Sequence, residues 1–249
     1  SSGLVEGCSV VACDLAAQLV AASAATATGA VLEVGQGRGT KSVLIARACL
    51  ARGNDAVRVV GCDSVASKVL TTRRRMASAH LDALVSCVEL DARRLADDDA
   101  LPAGIPRSFA SVLVDAPCSG TGTMRRHPEI PWSLDAAALD PAVPGSLPSL
   151  QLELLRAASA RVVAGGSLRY ATCSVLRAEN EGVIEAFLAS PEGGAFERAG
   201  FLDGTGAESL PARACELARE SLTADGWLRS TPGAVPFDGH FCAHLVRRA

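Results

Sequence analysis

Two cysteines each follow a strand-like apolar run, and this placement is the clearest chemical signal in the chain. Cys118 lies in Val-Asp-Ala-Pro-Cys-Ser-Gly (114–120), and Cys173 lies in Tyr-Ala-Thr-Cys-Ser (170–174). Open α/β sheets bind ligands at the carboxyl ends of their strands, so we expect both thiols at one ligand-binding edge. Thiols there suit covalent catalysis on a pyrimidine. A thiolate that adds to carbon 6 of cytosine makes carbon 5 able to take a methyl group from a sulfonium donor.

This chemistry needs two further groups beside the nucleophile. An acidic partner at ring nitrogen 3 offsets the developing charge, and a base removes the proton from carbon 5 so that the enzyme can leave. Asp115, three residues before Cys118, is placed for the first task. The spacing of the two thiols does not decide which one attacks.

The remaining cysteines and the histidines favour neither disulfides nor a metal site. The chain has nine cysteines, an odd number, and none of them forms a Cys-x-x-Cys pair. We interpret the other seven as small buried apolar residues in a reducing compartment. His240 and His244 are four residues apart in a strand-like tail with no further ligand nearby, so we predict no metal.

A glycine-rich turn follows the first predicted strand and opens a helix. It reads Glu-Val-Gly-Gln-Gly-Arg-Gly-Thr-Lys (33–41), and such a turn lets a ligand approach the backbone. It misses the third glycine of the dinucleotide fingerprint and the Gly-Lys-Ser/Thr ending of a P-loop, so neither NAD nor ATP is well supported.

Acidic residues at the ends of the next strands make the turn more informative. Asp63 can accept hydrogen bonds from both hydroxyls of a ribose, and Asp91 can reach an adenine amino group. Alone, each aspartate is more typical of a helix N-cap. The series of glycine turn, Asp63, Asp91 and Asp115 at successive strand ends resembles the S-adenosylmethionine site of Rossmann-like methyltransferases.

Short β-rich runs alternate with helical stretches, which predicts an α/β fold with a mostly parallel central sheet and helices on both faces. We expect residues 1–29 to form an N-terminal helical segment that packs on the core, and residues 30–249 to form one catalytic domain. The predicted strands are 30–34, 57–62, 85–89, 111–115, 168–172 and 241–246, and the predicted helices are 11–22, 41–51, 64–79, 150–163 and 179–188. Residues 128–148, with five prolines, predict an irregular lid or crossover, and residues 191–236 give no clear elements.

The charge of the chain limits how it meets partners. A net charge of −3 does not favour gripping nucleic acid by bulk electrostatics, so any such contact must be local. Of two basic clusters, we interpret 73–75 as solvated surface and 125–127 as a nucleic-acid contact, because the second follows Cys118 directly. No apolar run approaches about 20 residues and no charged leader precedes one, so we predict a soluble cytoplasmic protein without membrane contact.

One long motif carries a family resemblance. It runs Asp-Ala-Pro-Cys-Ser-Gly-Thr-Gly-Thr-Met-Arg-Arg-His-Pro-Glu-Ile-Pro-Trp (115–132), and it is joined by Tyr-Ala-Thr-Cys-Ser (170–174) and Ala-Glu-Asn-Glu (178–181). With the turn at 35–41 and the closing Phe-Asp-Gly-His-Phe-Cys-Ala-His-Leu (237–245), it resembles the RNA cytosine-5 methyltransferases of the RsmB and Sun group, from about Gly7 to the C-terminus.

The resemblance implies roles for matching positions. Cys173 is the nucleophile, Cys118 assists release of the methylated base, and Lys41 and Asp115 contact the base. DNA cytosine methyltransferases, similar in chemistry, instead attack with the cysteine of their Pro-Cys motif. The implied cofactor is S-adenosylmethionine, held by Glu33, Val34, Gly35, Gln36, Gly37, Arg38, Gly39, Lys41, Asp63, Lys68, Asp91, Ala92, Asp115 and Pro117.

The chain departs from the family pattern at three places. Gln36 stands where a small residue is common, His240 replaces an aromatic residue, and 135–148 is shortened and rich in proline. Family members commonly carry an N-terminal RNA-binding region, whereas this chain begins close to the catalytic core, so we expect an excised catalytic domain. The expected partner is an RNA substrate, rRNA or tRNA, and a monomer is favoured.

Two other functions fit part of the pattern. Methylation of an amide or exocyclic amine commonly uses Asn/Asp-Pro-Pro-Tyr/Phe after the fourth strand, and Asp-Ala-Pro-Cys (115–118) lacks its aromatic residue. A non-catalytic RNA-binding or assembly factor is consistent with the acidic net charge, but retention of both thiols, Lys41 and Asp115 argues against it.

Overall fold

A single eight-stranded sheet organises the molecule. The computed structural model describes residues 10–204 and 212–249. The strands are β1 (Val31–Val34), β2 (Val59–Asp63), β3 (Val85–Glu89), β4 (Phe109–Asp115), β5 (Val162–Thr172), β6 (Phe196–Ala199), β7 (Leu228–Ser230) and β8 (His240–Arg247).

Strand order explains where a ligand can bind. The order is β3-β2-β1-β4-β5-β8-β6, with β7 also paired to β8. β3, β2, β1, β4 and β5 are parallel, whereas β8 runs antiparallel to β5, β6 and β7. The chain order reverses between β1 and β4, and the loops that leave these two strands diverge there. This topological switch point opens a crevice at the carboxyl edge of the sheet.

Helices cover both faces of this sheet. They are α1 (Leu15–Ser23), α2 (Thr40–Ala51), α3 (Ala66–Ser78), α4 (Ile130–Ser133), α5 (Leu147–Ser159), α6 (Glu181–Leu188) and α7 (Ala212–Glu220). Neighbouring strand residues point to opposite faces, so Leu32 joins a core cluster that contains Leu155 and Ile184. Val31 joins a second cluster that contains Leu19 and Ile45. The predicted α/β, Rossmann-like fold with a mostly parallel sheet is confirmed.

The first helix sits on the second of these clusters. Asp14 caps α1 by accepting a hydrogen bond from the backbone of Ala16 at 2.9 Å, and α1 contacts α2, α7 and β8. Residues 1–9 of the predicted N-terminal segment, which include Gly7 and Cys8, lie outside the described residues. The division of the chain at residue 29 stays a prediction.

The elements differ from the predicted ones mainly after residue 160. β5 begins at Val162, six residues before the predicted start, and runs through Gly165 and Gly166. β6, β7 and α7 lie in the stretch that gave no sequence signal. Residues 128–148 hold α4 and one 3-10 turn (Ala137–Leu139) between irregular segments. In the described part of the chain, no helix has both the length and the apolar character needed to cross a bilayer.

Candidate active site

A cleft of about 760 Å³ lies at the carboxyl edge of the sheet, above the switch point between β1 and β4. This volume falls in the range of small-molecule and cofactor sites. Residues after β1, β2, β3, β4 and β5 all contribute to its lining. The two predicted thiols, the glycine turn and the strand-end carboxylates therefore share one cavity.

The turn after β1 needs glycine for two separate reasons. Gly35, Gly37 and Gly39 have φ values of +81°, +56° and +74°, a region that side chains disfavour. A Cβ on Gly35 would also meet the carbonyl oxygen of Asp115 at 2.2 Å. The backbone of the turn is therefore pressed against the end of β4, and the N–H groups of Gly35 and Gln36 donate to the carbonyl of Cys62 at the end of β2.

Asp63 ends β2 beneath this turn and is largely buried, with 9% of its side chain exposed. One carboxylate oxygen accepts from Gly37 N at 3.0 Å and the other accepts from Val65 N at 2.9 Å. A carboxylate has about four acceptor positions, so two remain for a ligand's hydroxyl groups. Asp63 can therefore cap the backbone that follows β2, as expected of a lone aspartate, and still bind a ligand.

Asp91 is held less firmly. It accepts from the backbone of Arg93 at 3.1 Å and forms an ion pair with that guanidinium at 2.6 Å. Hydrogen bonds from Arg93 lower the pKa of Asp91, more than burial raises it. With 39% of its side chain exposed, Asp91 lies at the rim of the cleft.

Most residues expected to hold the cofactor line this cleft. They are Val34, Gly35, Gly37, Lys41, Asp63, Lys68, Asp91, Ala92, Asp115 and Pro117. The lining does not include Glu33, Gln36, Arg38 or Gly39. Gly39 is the N-cap of α2 and packs on Thr72. Arg38 is exposed, and its backbone carbonyl accepts a hydrogen bond from Arg75.

Glu33 and Gln36 instead form a buried polar group behind the turn. Gln36 Nε2 donates to Ser42 Oγ at 2.9 Å, and Ser42 donates to Glu33 Oε2 at 2.5 Å. Burial raises the pKa of Glu33 to about 8, against the smaller opposing effect of Ser42. Gln36 also occupies the space over Gly61, where an added Cβ would meet Gln36 Nε2 at 2.1 Å. This pair supports the turn from below.

Cys118 and Cys173 approach each other across the ends of β4 and β5. Their Sγ atoms are 3.3 Å apart, and both line the cleft. The hydrogen bond to Cys118 lowers the pKa of Cys173, and the Lys41 ammonium adds to this, although burial and Asp115 oppose it. The same hydrogen bond, followed by burial, raises the pKa of Cys118. These opposite directions favour a thiolate on Cys173 that accepts a hydrogen bond from Cys118.

An ion pair lies beside the thiols. Lys41 Nζ, in the first turn of α2, is 2.7 Å from Asp115 Oδ2 at the end of β4, and both side chains are largely shielded. Burial disfavours the charged lysine, but the attraction and hydrogen bond of Asp115 outweigh it and hold the pKa of Lys41 above its usual range. The cleft therefore contains a fixed ammonium group next to a carboxylate.

A buried carboxylate ties the two cysteine turns together. Glu179 accepts at Oε1 from Ser119 N (2.8 Å) and Gln151 Nε2 (3.0 Å). At Oε2 it accepts from the hydroxyls of Ser119 and Ser174, both at 2.5 Å. Ser119 follows Cys118 and Ser174 follows Cys173, so Glu179 fixes the spacing of the two sulfurs without touching either.

A second buried carboxylate anchors the basic cluster at 125–127. Asp238 accepts from Arg125 at 3.3 Å and from Arg126 at 2.8 and 2.5 Å. Burial alone would raise the pKa of Asp238, but the hydrogen bonds and charge of the two arginines lower it overall. In the other cluster, Arg73 donates to the carbonyl of Cys87 in β3 and Arg75 donates to Thr40 at the start of α2, so two of its three arginines bind neighbouring elements of the fold.

Four cleft residues were not assigned to the site from the sequence: Cys13, Asp14, Thr123 and His240 line the cavity, together with Arg126 of the basic cluster. Asp14 is recognisable only as a cap before an apolar helix, and its second oxygen accepts from Asp238 N at 3.0 Å. His240 starts β8, and burial followed by the Lys41 charge lowers its pKa. His244 instead hydrogen-bonds Ser167 and the carbonyl of Gly200. Within residues 10–204 and 212–249, no group of three metal-ligating side chains comes together.

The cleft suits a nucleoside bearing an amino-acid tail. The glycine turn lets a ligand approach its backbone, Asp63 keeps two free acceptor positions, and Val65, Leu90 and Leu154 add apolar walls for a flat ring. Together with the doubly wound sheet, these features define an S-adenosylmethionine-dependent methyltransferase.

The chain belongs to the 16S rRNA methyltransferase RsmB/F family, whose model matches residues 23–246. Similar curated proteins are named ribosomal RNA small subunit methyltransferase B. The one from Cronobacter sakazakii is 37% identical over 141 residues, which is 56% of this chain and 27% of the relative. The one from Salmonella newport is 42% identical over 105 residues, covering 42% of this chain and 23% of the relative. The matched stretches thus span about a quarter of these relatives' length.

Solved structures show the same fold. NSun6 from Pyrococcus horikoshii, determined with SFG, aligns with a TM-score of 0.71 and 18% identity over 95% of this chain and 53% of that one. A methyltransferase homologue from Pyrococcus horikoshii aligns with a TM-score of 0.64 and 20% identity over 93% and 66% of the two chains. The family match and these folds agree with the expected RsmB and Sun group and with S-adenosylmethionine as the cofactor.

Proposed function

We propose that this chain transfers a methyl group from S-adenosylmethionine to carbon 5 of a cytosine in RNA, through a covalent bond between a cysteine and the pyrimidine. The pair of thiols 3.3 Å apart, beside the Lys41–Asp115 ion pair, carries this proposal. The names of the curated relatives favour ribosomal RNA as the substrate, with tRNA as the other candidate. Eight described cysteines are all free, which fits a reducing cytoplasm as the place of action.

Cys173 is the nucleophile in this proposal. Its lowered pKa follows from the hydrogen bond of Cys118 and the nearby ammonium of Lys41, so it carries the thiolate while Cys118 keeps the proton. The thiolate is the attacking form of cysteine. Cys173 Sγ forms a bond to carbon 6, and the electron pair of the 5,6 double bond moves toward carbon 5 and the ring.

Lys41 and Asp115 stabilise the charge that develops on the ring. Lys41, held protonated by Asp115, supplies a positive charge at the nitrogen 3 edge, and the Asp115 carboxylate holds that ammonium in place while accepting from the exocyclic amino group beside it. Fixed charges in a shielded site stabilise such an intermediate without reorganising. When bound, S-adenosylmethionine would supply an electrophilic methyl group whose bond to the sulfonium breaks as the methyl passes to carbon 5, with a neutral thioether as the leaving group.

Release requires loss of the proton on carbon 5. When a base takes this proton, its electron pair reforms the 5,6 double bond, the bond from carbon 6 to sulfur breaks, and Cys173 leaves as a thiolate. We assign this step to Cys118, whose sulfur is 3.3 Å from that of Cys173. Once Cys173 is bonded to carbon 6, the interactions with Cys173 that raised the pKa of Cys118 are gone, so Cys118 gives its own proton to solvent and the resulting thiolate takes the proton from carbon 5. Without Cys118, addition and methyl transfer proceed but the adduct persists.

Trapping of the adduct tests this function. Protein is incubated with S-adenosylmethionine and a cytosine-containing single-stranded RNA, and covalent complexes are resolved under denaturing conditions. We expect accumulation with Cys118→Ala and none with Cys173→Ala or the double variant. Cys13→Ala is the matched control, since Cys13 also lines the cleft but lies outside the thiol pair.

The other outcomes separate the alternatives. An adduct only in Cys173→Ala protein would reverse the two roles. RNA binding with neither adduct nor methyl transfer in any variant would favour the non-catalytic assembly factor. Mapping the product by bisulfite sequencing then distinguishes rRNA from tRNA.

A further inference from the structure

The short helix α4 is unusual because it buries none of its residues. Its Trp132 has 91% of its surface exposed, the highest value among the exposed large apolar residues of the described chain. The other tryptophan, Trp227, is 1% exposed and packs edge-on against Phe241. A tryptophan ring normally buries a large apolar area, so Trp132 contributes little to the core and is free to meet a ligand.

α4 is attached directly to the turn that carries Cys118. From Gly120 the chain forms the 3-10 turn Thr121–Thr123, and Thr123 and Arg126 line the cleft. The side chain of Ile130, the first residue of α4, lies 3.4 Å from the point where a Cβ on Gly120 would stand. The exposed ring thus belongs to a segment seated against the reactive loop.

Two arginines lie in the same segment, seven and six residues before Trp132, and one of them, Arg126, lines the cleft. Arg125 and Arg126 each have more than half of their side chain exposed, while the Asp238 carboxylate that anchors them is fully buried. With Asp14, whose charge also acts on Arg126, the two guanidinium groups face two carboxylates, so they offer exposed donors rather than excess charge. Each guanidinium has five N–H donors, so free donors remain for a phosphate oxygen.

An exposed aromatic ring beside anchored arginines matches the chemistry of single-stranded nucleic acid. Bases stack on aromatic rings irrespective of sequence, and arginines follow the phosphates. The chain's net charge of −3 does not support a broad electrostatic surface, which makes a local stacking contact more important.

We propose that Trp132 is a stacking platform for an unpaired RNA base that flanks the target cytosine, with Arg125 and Arg126 holding the adjoining phosphate. This inference rests on the proposed RNA substrate and adds the place where RNA outside the reacting base is held. Removing the ring weakens RNA binding by roughly 5- to 150-fold, the range of one base stack.

The first test measures RNA affinity by anisotropy of a labelled, cytosine-containing single-stranded oligoribonucleotide. We expect Trp132→Ala to weaken binding within the range above and Trp132→Phe to restore most of it. Val163→Ala is the matched control, because Val163 is an exposed apolar residue near the start of β5, at the opposite edge of the sheet. Affinity for S-adenosylmethionine and the melting temperature should stay the same in all three variants.

The salt dependence of binding separates stacking from charge. Loss of an arginine–phosphate contact reduces the slope of log affinity against log salt by about one, whereas loss of a stack leaves the slope unchanged. We therefore expect an unchanged slope for Trp132→Ala and a reduced slope for Arg125→Ala. A merely structural role of Trp132 would instead lower the melting temperature of the Trp132→Ala protein.

Tryptophan emission gives an independent signal. Stacking of a base on Trp132 should quench the emission of the native protein, and the buried Trp227 provides the constant background. In Trp132→Phe protein, RNA should bind without quenching. If RNA bound without quenching and Trp132→Ala lost no RNA affinity, the stacking platform would be overturned. The adduct experiment could still support the proposed function in that case. No RNA binding by the native chain would overturn both.

Discussion

The half of the cleft formed by β1, β2 and β3 and the half formed by β4 and β5 both use carboxylates, but they hold them in opposite ways. Asp63 accepts one backbone N–H on each oxygen and keeps acceptor positions to spare, whereas Asp91 accepts four bonds that all come from the single neighbouring residue Arg93. Both carboxylates face the cavity. Glu179 uses both oxygens on four donors from three separate segments and is fully buried.

This difference matches two different tasks. A side that binds a cofactor needs hydrogen-bonding capacity left for the ligand, and its affinity tolerates small shifts of position. A side that forms and breaks a covalent bond must hold the reacting atoms within a fraction of an ångström. The thiol half is therefore built around Glu179, a saturated carboxylate in the sense that both of its oxygens are fully hydrogen-bonded within the protein. Glu179 does not touch the sulfurs and positions them through the neighbouring serines.

The largest effect should come from the saturated carboxylate. Glu179→Ala removes the acceptor for four buried donors, so we expect the free energy of unfolding to fall by about 3 kcal/mol or more. Methyl transfer should fall at least about a hundredfold as the sulfurs lose their spacing. Denaturant unfolding and single-turnover rates measure both, with Glu179→Gln expected to lie between the native protein and Glu179→Ala.

The control for this prediction is Glu185→Ala, on α6, which removes an exposed ion pair with Arg177. Exposed ion pairs contribute little, so this variant should be nearly native. If Glu179→Ala also kept native stability and rate, the two halves of the cleft would not differ in the way described.

Glu33, behind the glycine turn, is also a buried carboxyl, and its Oε1 oxygen has no hydrogen-bond partner. Its folded pKa of about 8 lies above its unfolded value, so the folded state holds one more proton between about pH 5 and 8. Stability from this group is present at low pH and is lost as pH rises through 8, at about 1.4 kcal/mol per pH unit within the window. Unfolding at pH 6 and pH 7 should show this slope in the native protein.

Glu33→Gln should lack that component of the slope, because the amide does not titrate. Glu185→Gln, an exposed change, should keep the native slope. Identical pH dependence in native and Glu33→Gln protein would mean that Glu33 is ionised in the fold.

On the cofactor side, Asp63→Asn should act on affinity more than on stability. An amide keeps one acceptor oxygen but loses the charge and half of the acceptor positions, so we expect the Kd for S-adenosylmethionine to rise about tenfold. Titration calorimetry measures it, and the free energy of unfolding should fall by about 1 kcal/mol, less than for Glu179→Ala, because one backbone donor loses its acceptor. A large loss of stability with unchanged affinity would place Asp63 in the same structural class as Glu179.

The smallest effect is expected at the rim. Asp91→Asn loses the ion pair with Arg93 on a half-exposed surface, so the Kd should rise only about threefold and stability should not change measurably. An effect on cofactor affinity greater than that of Asp63→Asn would reverse the proposed ranking of the two aspartates.

The sequence predicted the parts of the site whose signals are local. The turn at 35–41, Asp63, Asp115 and both thiols follow directly after buried strands, and parallel strands bring such positions to one edge. The helices α1, α2, α3, α5 and α6 and the five parallel strands were also recognisable from their alternation along the chain. Resemblance to the family added Lys41, which the structure places against Asp115.

The remaining parts depend on contacts between distant segments. Ser119, Gln151 and Ser174 meet at Glu179 only in the folded chain, so no spacing in the sequence indicates this group. Cys13 and Asp14 reach the cleft because α1 packs beside β8. The short strands β6 and β7 have too few residues to show an alternating pattern.

The contact of Gln36 with Gly61 has a consequence for how sequences of this kind can change over generations. A side chain at 61 would collide with Gln36, and moving Gln36 away would break its bond to Ser42. A side chain at position 61 is therefore tolerated only when position 36 carries a residue shorter than glutamine. Relatives that carry a side chain at position 61 should carry a shorter residue at position 36, and this covariation should be visible as a matched pair of exchanges.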